Sequence, residues 1–242
     1  MMRDVGFLTR QPIAHRGLHD GNKSVWENTL SAFQRAIDAG YAIECDLQYA
    51  ADAAPVVFHD DDMQRLCNIK ADIRTKTAAE LSLITIGGTK DKVPSLRALL
   101  RLVKGRVPIL LELKGRQGDD DGFTSAVLEA LEDYHGDVAL MSFDTWLLAE
   151  LKELESPRPL GLTAQGTKEE EFAIHRKVMA EDGLDFISYN VMHLPNAFTT
   201  AERAKGVPVI SWTVRTPEQA EHSRHNADQM TFEGFDPRIS EG

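Results

Sequence analysis

Short apolar or β-branched runs alternate with amphipathic stretches along almost the whole chain. The runs that read as strands cover residues 12–15, 42–48, 108–113, 138–142, 160–164, 185–189, 207–213 and 228–232. Between the first two, Leu30, Phe33 and Ile37 recur on one helical face ahead of Gly40, a residue type suited to ending a helix. Val127 with Leu131 marks another such face, Leu147, Leu148, Leu151 and Leu154 a third, and Phe172, Ile174 and Val178 a fourth. Strands that alternate with helices predict a parallel sheet joined by right-handed crossovers. Eight such repeats in a chain of 242 residues predict an α/β fold, a closed (β/α)8 TIM barrel. The rival, a doubly wound open sheet, usually carries a glycine-rich phosphate loop after its first strand, and this sequence has none. The rhythm breaks once, where an extra short strand at 55–58 leads into a polar excursion at 60–94. That excursion reads as an insertion over the barrel mouth, so residues 1–242 are expected to form one domain.

Composition narrows the partners more than the fold. A net charge of −11 with no dense Lys/Arg block argues against nucleic acid or an anionic membrane as a partner. Any anionic substrate is then attracted locally, by a metal ion or a few placed cations. Cys45 and Cys67 are the only cysteines and one falls mid-strand, which points to a reducing compartment. Residues 1–11 contain Arg3, Asp4 and Arg10 and no apolar segment of signal-peptide length. No run approaches the length of a membrane span. A cytoplasmic protein is expected, and the sequence leaves a homodimer open.

The candidate chemistry lies at predicted strand ends. Glu44 and Asp46 are two apart on one strand, so both side chains point the same way, with Ile43, Cys45 and Leu47 directed under the helices. Two like charges aimed into a core are too costly unless a cation neutralises them. The same alternation puts Glu112 and Lys114 on one face. His15 closes the first strand, His59 follows the extra one, and Trp212 sits near the end of the seventh. In a parallel barrel the carboxyl ends of the strands converge on one mouth. One divalent ion with Arg16 and Lys114 would outweigh the three carboxylates by a single charge, which suits a mono-anionic phosphodiester. Oxygen ligands favour a hard ion such as Mg²⁺ or Ca²⁺. The histidines read as proton-transfer groups, although Zn²⁺ or Mn²⁺ would recruit them as ligands. Asp60, Asp61 and Asp62 read as a solvated loop and His19 as a surface residue, while His193, after the sixth strand, is left out of the site.

Six short motifs then occur in order: His15-Arg16-Gly17, Glu27-Asn28-Thr29-Leu30, Glu44-Cys45-Asp46, His59-Asp60, Glu112-Leu113-Lys114 and Trp212-Thr213-Val214. Together they resemble the glycerophosphodiester phosphodiesterase family, from about residue 12 to about residue 237. The resemblance implies a barrel of the phospholipase-C-like phosphodiesterase type. It also implies metal-dependent hydrolysis of glycerophosphodiesters to sn-glycerol 3-phosphate and an alcohol. Glu44, Asp46 and Glu112 would hold one divalent ion, Mg²⁺ or Ca²⁺ with Mn²⁺ also admitted. His15 and His59 would act as general base and general acid, Arg16 and Lys114 would hold the phosphate, and Trp212 would pack on the glycerol. The family pattern further implies attack by the glycerol 2-hydroxyl on phosphorus, then opening of a cyclic phosphate by water. A lysophospholipase D-like relative and a non-catalytic barrel that only binds a phosphorylated ligand are the alternatives. Three places depart from the family's usual pattern. Trp26 stands where proline is common before Glu-Asn-Thr, Ala51-Asp52-Ala53-Ala54 replaces a Lys-Asp-Gly turn, and the final strand is more polar.

Overall fold

The computed structural model describes residues 3–238, and within them eight parallel strands close on themselves. In chain order the elements are β1 (Ile13–Ala14), α1 (Leu30–Asp38), β2 (Ala42–Tyr49), β3 (Pro55–Val57), α2 (Gln64–Cys67), α3 (Ala78–Leu81), α4 (Leu96–Val103), β4 (Ile109–Leu113) and α5 (Phe123–Leu131). There follow β5 (Val138–Ser142), α6 (Thr145–Glu153), β6 (Leu160–Ala164), α7 (Glu169–Asp182), β7 (Phe186–Asn190), α8 (Ala197–Ala204), β8 (Val209–Val214), α9 (Pro217–Asn226) and β9 (Gln229–Phe232). The parallel strands run round in the order β1-β9-β8-β7-β6-β5-β4-β2 and back to β1. Ile13 completes the ring, opposite Ala42 on one side and Thr231 on the other. Closure at the polar last strand is therefore intact, and Gln229 there donates from Nε2 to the Thr9 carbonyl at 3.1 Å. Strand β3 pairs antiparallel with β2, outside the ring.

Alternation along the strands builds two cores. Outward residues such as Ile43, Cys45, Leu47, Leu111 and Leu140 pack under the helices against Phe33, Leu99, Leu147 and Phe198. Inward residues Ile13, Ala42, Leu110, Ala139, Phe186 and Ile210 fill the barrel and meet Phe7 and Leu8 of the N-terminal turn. That turn, Gly6–Thr9, stoppers the end where the strands begin, so among the described residues the barrel opens at the strands' carboxyl ends. Two expected core residues lie outside. Ile174 is 60% exposed, because it sits two residues from buried Phe172 and therefore near the opposite face of α7. Leu154 is 45% exposed, as the cap beyond the last turn of α6.

Residues 60–94 carry α2, α3 and a 3-10 turn at Ile73–Thr75, and gather a small core of their own around Phe58, Met63, Leu66, Ile73, Leu81 and Ile86. Trp26 joins that core, seated over Gly87, where a Cβ would come within 2.0 Å of the indole. The place usually held by proline is thus occupied by a side chain that the excursion accommodates. In the β2–β3 turn, Ala53 takes φ +58° in the position of the missing glycine, so the turn keeps its left-handed residue on an alanine.

Candidate active site

The loop after β1 owes its course to its sequence. Arg16 has φ +54° and Gly17 φ +79°, and a Cβ on Gly17 would lie 2.9 Å from the Ala32 backbone of α1. The chain there presses against the helix and only glycine fits. The strained Arg16 conformation turns its backbone N–H inward, where it donates to Glu44 Oε2 at 2.9 Å. The Glu-Asn-Thr stretch completes the frame. Glu27 Oε1 accepts from Arg16 at 2.6 Å, Asn28 donates to Asp46 Oδ2 at 2.8 Å, and Thr29 Oγ1 accepts from Ala32 N–H to cap α1.

Three carboxylates meet at the floor of the mouth. Glu44 and Asp46 project inward from β2 and Glu112 from β4, with Asp46 and Glu112 opposite in register. All three are buried, and an oxygen from each lies within 4.8 Å of the others. Asp46 forms ion pairs with Arg16, whose Nε lies 3.1 Å away, and with Lys114, whose Nζ lies 3.2 Å away, and Lys114 also contacts Glu112. Glu44 Oε1 is buried with no hydrogen-bond partner among the described residues. The charges sort accordingly. Burial, then the charges of Asp46 and Glu112, push the Glu44 carboxyl well above the usual range. Burial pushes Asp46 the same way, but Lys114 and Arg16 outweigh it and hold Asp46 below the usual range.

Two histidines flank the cluster. His15 Nδ1 lies 2.5 Å from Glu233 Oε2, and its Nε2 lies 3.9 Å from Glu44. Burial lowers the His15 pKa, with the Glu233 hydrogen bond opposing. Arg215 Nε donates to the other Glu233 oxygen at 2.6 Å. His59 is held in the same way, its Nδ1 2.7 Å from Asp60, which in turn accepts from Arg65 Nε at 2.7 Å. Each ring thus has one nitrogen on a carboxylate backed by arginine. A cavity of about 160 Å³ is lined by His15, Arg16, Glu44, Asp46, His59, Glu112, Lys114 and Trp212 together. Every site residue named from the sequence lines that one space. Phe143 meets Trp212 edge to face, with ring centres 5.4 Å apart. A larger groove of about 590 Å³ lies between α4 and α5, beside the loops that lead into β4 and β5. It is at the far end of the barrel, away from the carboxylate cluster.

Several expectations need correction. Asp60 is no solvated charge, because His59 and Arg65 engage it, although Asp61 keeps a 70% exposed side chain. His19 is not on the surface, with a side chain 8% exposed and Nε2 3.6 Å from Glu233. His193, which the sequence left out of the site, does lie off the cavity and accepts from Gly166 N–H. Glu233 went unnoticed in the sequence. Its signal was present, since it stands two residues beyond inward-facing Thr231.

Comparison with known proteins follows the same line. The profile of the glycerophosphoryl diester phosphodiesterase family matches residues 15–234. A glycerophosphodiester phosphodiesterase of Caldanaerobacter subterraneus subsp. tengcongensis is 27% identical over 220 residues, covering 86% of this chain and 87% of its own. The fold is similar to that of an Oleispira antarctica phosphodiesterase solved with the product sn-glycerol-3-phosphate. The TM-score is 0.83 at 21% identity, over 95% of this chain and 94% of that one. It also resembles the Thermotoga maritima glycerophosphodiester phosphodiesterase, with a TM-score of 0.74 at 26% identity, over 92% of this chain and 94% of that one.

Proposed function

The chain belongs to the glycerophosphoryl diester phosphodiesterase family, and from that premise we propose that it hydrolyses glycerophosphodiesters with one divalent metal ion and two histidines. One observation carries the reading. Glu44, Asp46 and Glu112 present oxygens within 4.8 Å of one another, and Glu44 Oε1 is buried without a hydrogen-bond partner among the described residues. An orphaned anion among like charges is what a cation site requires. The all-oxygen donor set suits Mg²⁺, Ca²⁺ or Mn²⁺. Such an ion, when bound, supplies Lewis-acid stabilisation of charge on a phosphoryl oxygen.

The chain's own groups do the rest. Arg16 and Lys114 stand beside the cluster as fixed cations, and burial holds them in place for a phosphodiester anion. One imidazole accepts the proton of the glycerol 2-hydroxyl as that oxygen bonds to phosphorus. The other protonates the departing alkoxide as its P–O bond breaks. The roles then reverse, and water opens the cyclic phosphate to sn-glycerol 3-phosphate. Glu233 and Asp60 hold the Nδ1 atoms, which leaves each Nε2 for these transfers. Trp212 gives the three-carbon moiety an apolar wall. The two free cysteines support a reducing, cytoplasmic setting. No helix among the described residues is long and apolar enough to cross a membrane.

The test is release of glycerol 3-phosphate from glycerophosphocholine with and without chelator. Activity should vanish with chelator and return with added ion, whereas unaltered turnover removes the metal from the reaction. His15→Ala and His59→Ala should each lower kcat by about 10² to 10⁴ with the fold intact. A wild-type rate in either takes that histidine out of its role.

A further inference from the structure

The excursion at 60–94 contributes one guanidinium to the frame of the site. Arg65, on α2, meets two carboxylates at once. Its Nη1 and Nη2 donate to Glu27 Oε2 and Oε1 at 2.8 and 2.9 Å. Its Nε and Nη2 donate to Asp60 Oδ2 and Oδ1 at 2.7 and 2.9 Å. Two edges of one planar fork are thus each paired with both oxygens of a carboxylate, the geometry in which arginine binds such a group most strongly. Each carboxylate has a second task. Asp60 holds His59 Nδ1 at 2.7 Å, and buried Glu27 accepts from Arg16 Nη1 at 2.6 Å. His59, Asp60, Arg65, Glu27 and Arg16 therefore form one chain of alternating partners. Among the described residues, Arg65 alone bonds both carboxylates. Anchoring the excursion does not require this clamp. Met63 and Leu66, which flank Arg65, are buried in the excursion's own core. Val57 N–H also donates to the Pro94 carbonyl at 2.7 Å, and Arg74 Nη1 to Gln48 Oε1 at 2.8 Å.

We propose that Arg65 is a positioning residue that couples two parts of the site, setting the His59 imidazole through Asp60 and the Arg16 guanidinium through Glu27. This rests on the activity proposed above. Whether His59 gives its proton first or takes one first, it carries a positive charge in one of the two transfers. Asp60 stabilises that charge only while its oxygens keep their place, and Arg65 fixes both of them. Arg16 owes the direction of its side chain to Glu27 and Asp46. A guanidinium shared by Asp60 and Glu27 thus holds the proton-transfer group in register with the cation that meets the phosphate. A displacement of about 1 Å in such a constellation costs on the order of 10²-fold in rate. The excursion over the mouth thereby gains a part in the reaction, although Arg65 touches neither the substrate nor the metal site.

Arg65→Lys keeps the charge but presents a single ammonium in place of the fork. With glycerophosphocholine and Mg²⁺ it should lower kcat by about 10- to 100-fold. Calorimetry with inorganic phosphate in Mg²⁺, which needs no turnover, should show affinity falling about 5-fold, the scale of one half-exposed charge pair. Two backgrounds separate positioning from mere support. On Asp60→Asn, Arg65→Lys should cost nothing further in kcat and still weaken phosphate binding. On Glu27→Gln it should still lower kcat and leave phosphate affinity where Glu27→Gln put it. Arg65→Gln supplies a second, uncharged variant, and melting above the assay temperature establishes that each protein is folded. A loss of kcat as large in the Asp60→Asn background as in wild type overturns the coupling. So does a phosphate affinity that Arg65→Lys leaves unchanged. If wild type turns over no glycerophosphodiester at all, the proposed activity falls instead, and the phosphate titrations still decide whether Arg65 acts on Arg16.

Discussion

Glu44→Gln should make the protein more stable without metal and less stable than wild type with it. In the metal-free protein, Glu44 is 1% exposed, its Oε1 has no partner, and Asp46 and Glu112 add like charge. Glutamine keeps an acceptor for the Arg16 N–H and puts amide hydrogens where the orphaned oxygen was, facing the neighbouring carboxylates. Satisfying one buried, unpartnered oxygen in this way is worth about 1–3 kcal/mol. At about 2–4 °C per kcal/mol for a chain of this size, the variant should melt roughly 2–12 °C higher in chelator. The wild type should regain its lead with metal, because an ion at a hundred times its Kd adds about 2.7 kcal/mol, or about 5–10 °C, to a protein that binds it only when folded. The variant, short of one anionic ligand, should gain far less. Differential scanning fluorimetry in chelator and in titrated Mg²⁺, Ca²⁺ and Mn²⁺ reads both effects. A variant that melts below wild type in chelator, or that keeps the full metal-induced shift, refutes the reasoning.

Glu233→Gln should lower kcat by about 10² or more while the melting temperature moves little, since a carboxylate that orients a histidine acts on its tautomer and on the charge formed in the reaction. Steady-state kinetics check this, and an unchanged kcat removes Glu233 from the site. Glu27 is held down to about 2 by Arg65, Arg16 and Asn22, against the opposing effect of burial. The unfolded chain therefore binds the extra proton between pH 4.5 and 2, and stability is lost as pH falls through that window. Urea unfolding of wild type and Glu27→Gln should differ by up to about 3 kcal/mol above pH 5, with the gap closing toward pH 2. A gap that does not change with pH counts against the network. Ala53→Gly should raise the melting temperature by roughly 1–4 °C, because it relieves a left-handed alanine at φ +58°. A lower melting temperature would mean that glycine's chain entropy dominates.

Local periodicity alone determined the class of fold and most of the element positions. Strands at 138–142 and 160–164 follow from their apolar runs, and α1 ends near Gly40, whose φ is +71°. The alternation that turns Glu44 and Asp46 inward and Cys45 outward depends only on the pleat of a strand. What the chain could not disclose is who stands across from whom. Glu233 reaches His15 over 218 positions because closure sets Phe232 beside the first strand, where its carbonyl accepts from His15 N–H at 2.9 Å. Asp60 reads as a loop charge until α2 brings Arg65 against it, and Trp26 reads as a substitution until Gly87 leaves room for the ring. Periodicity reports the face on which a side chain lies. Partnership, burial and the resulting charge states depend on distances across the barrel, and those exist only once the eight strands have closed.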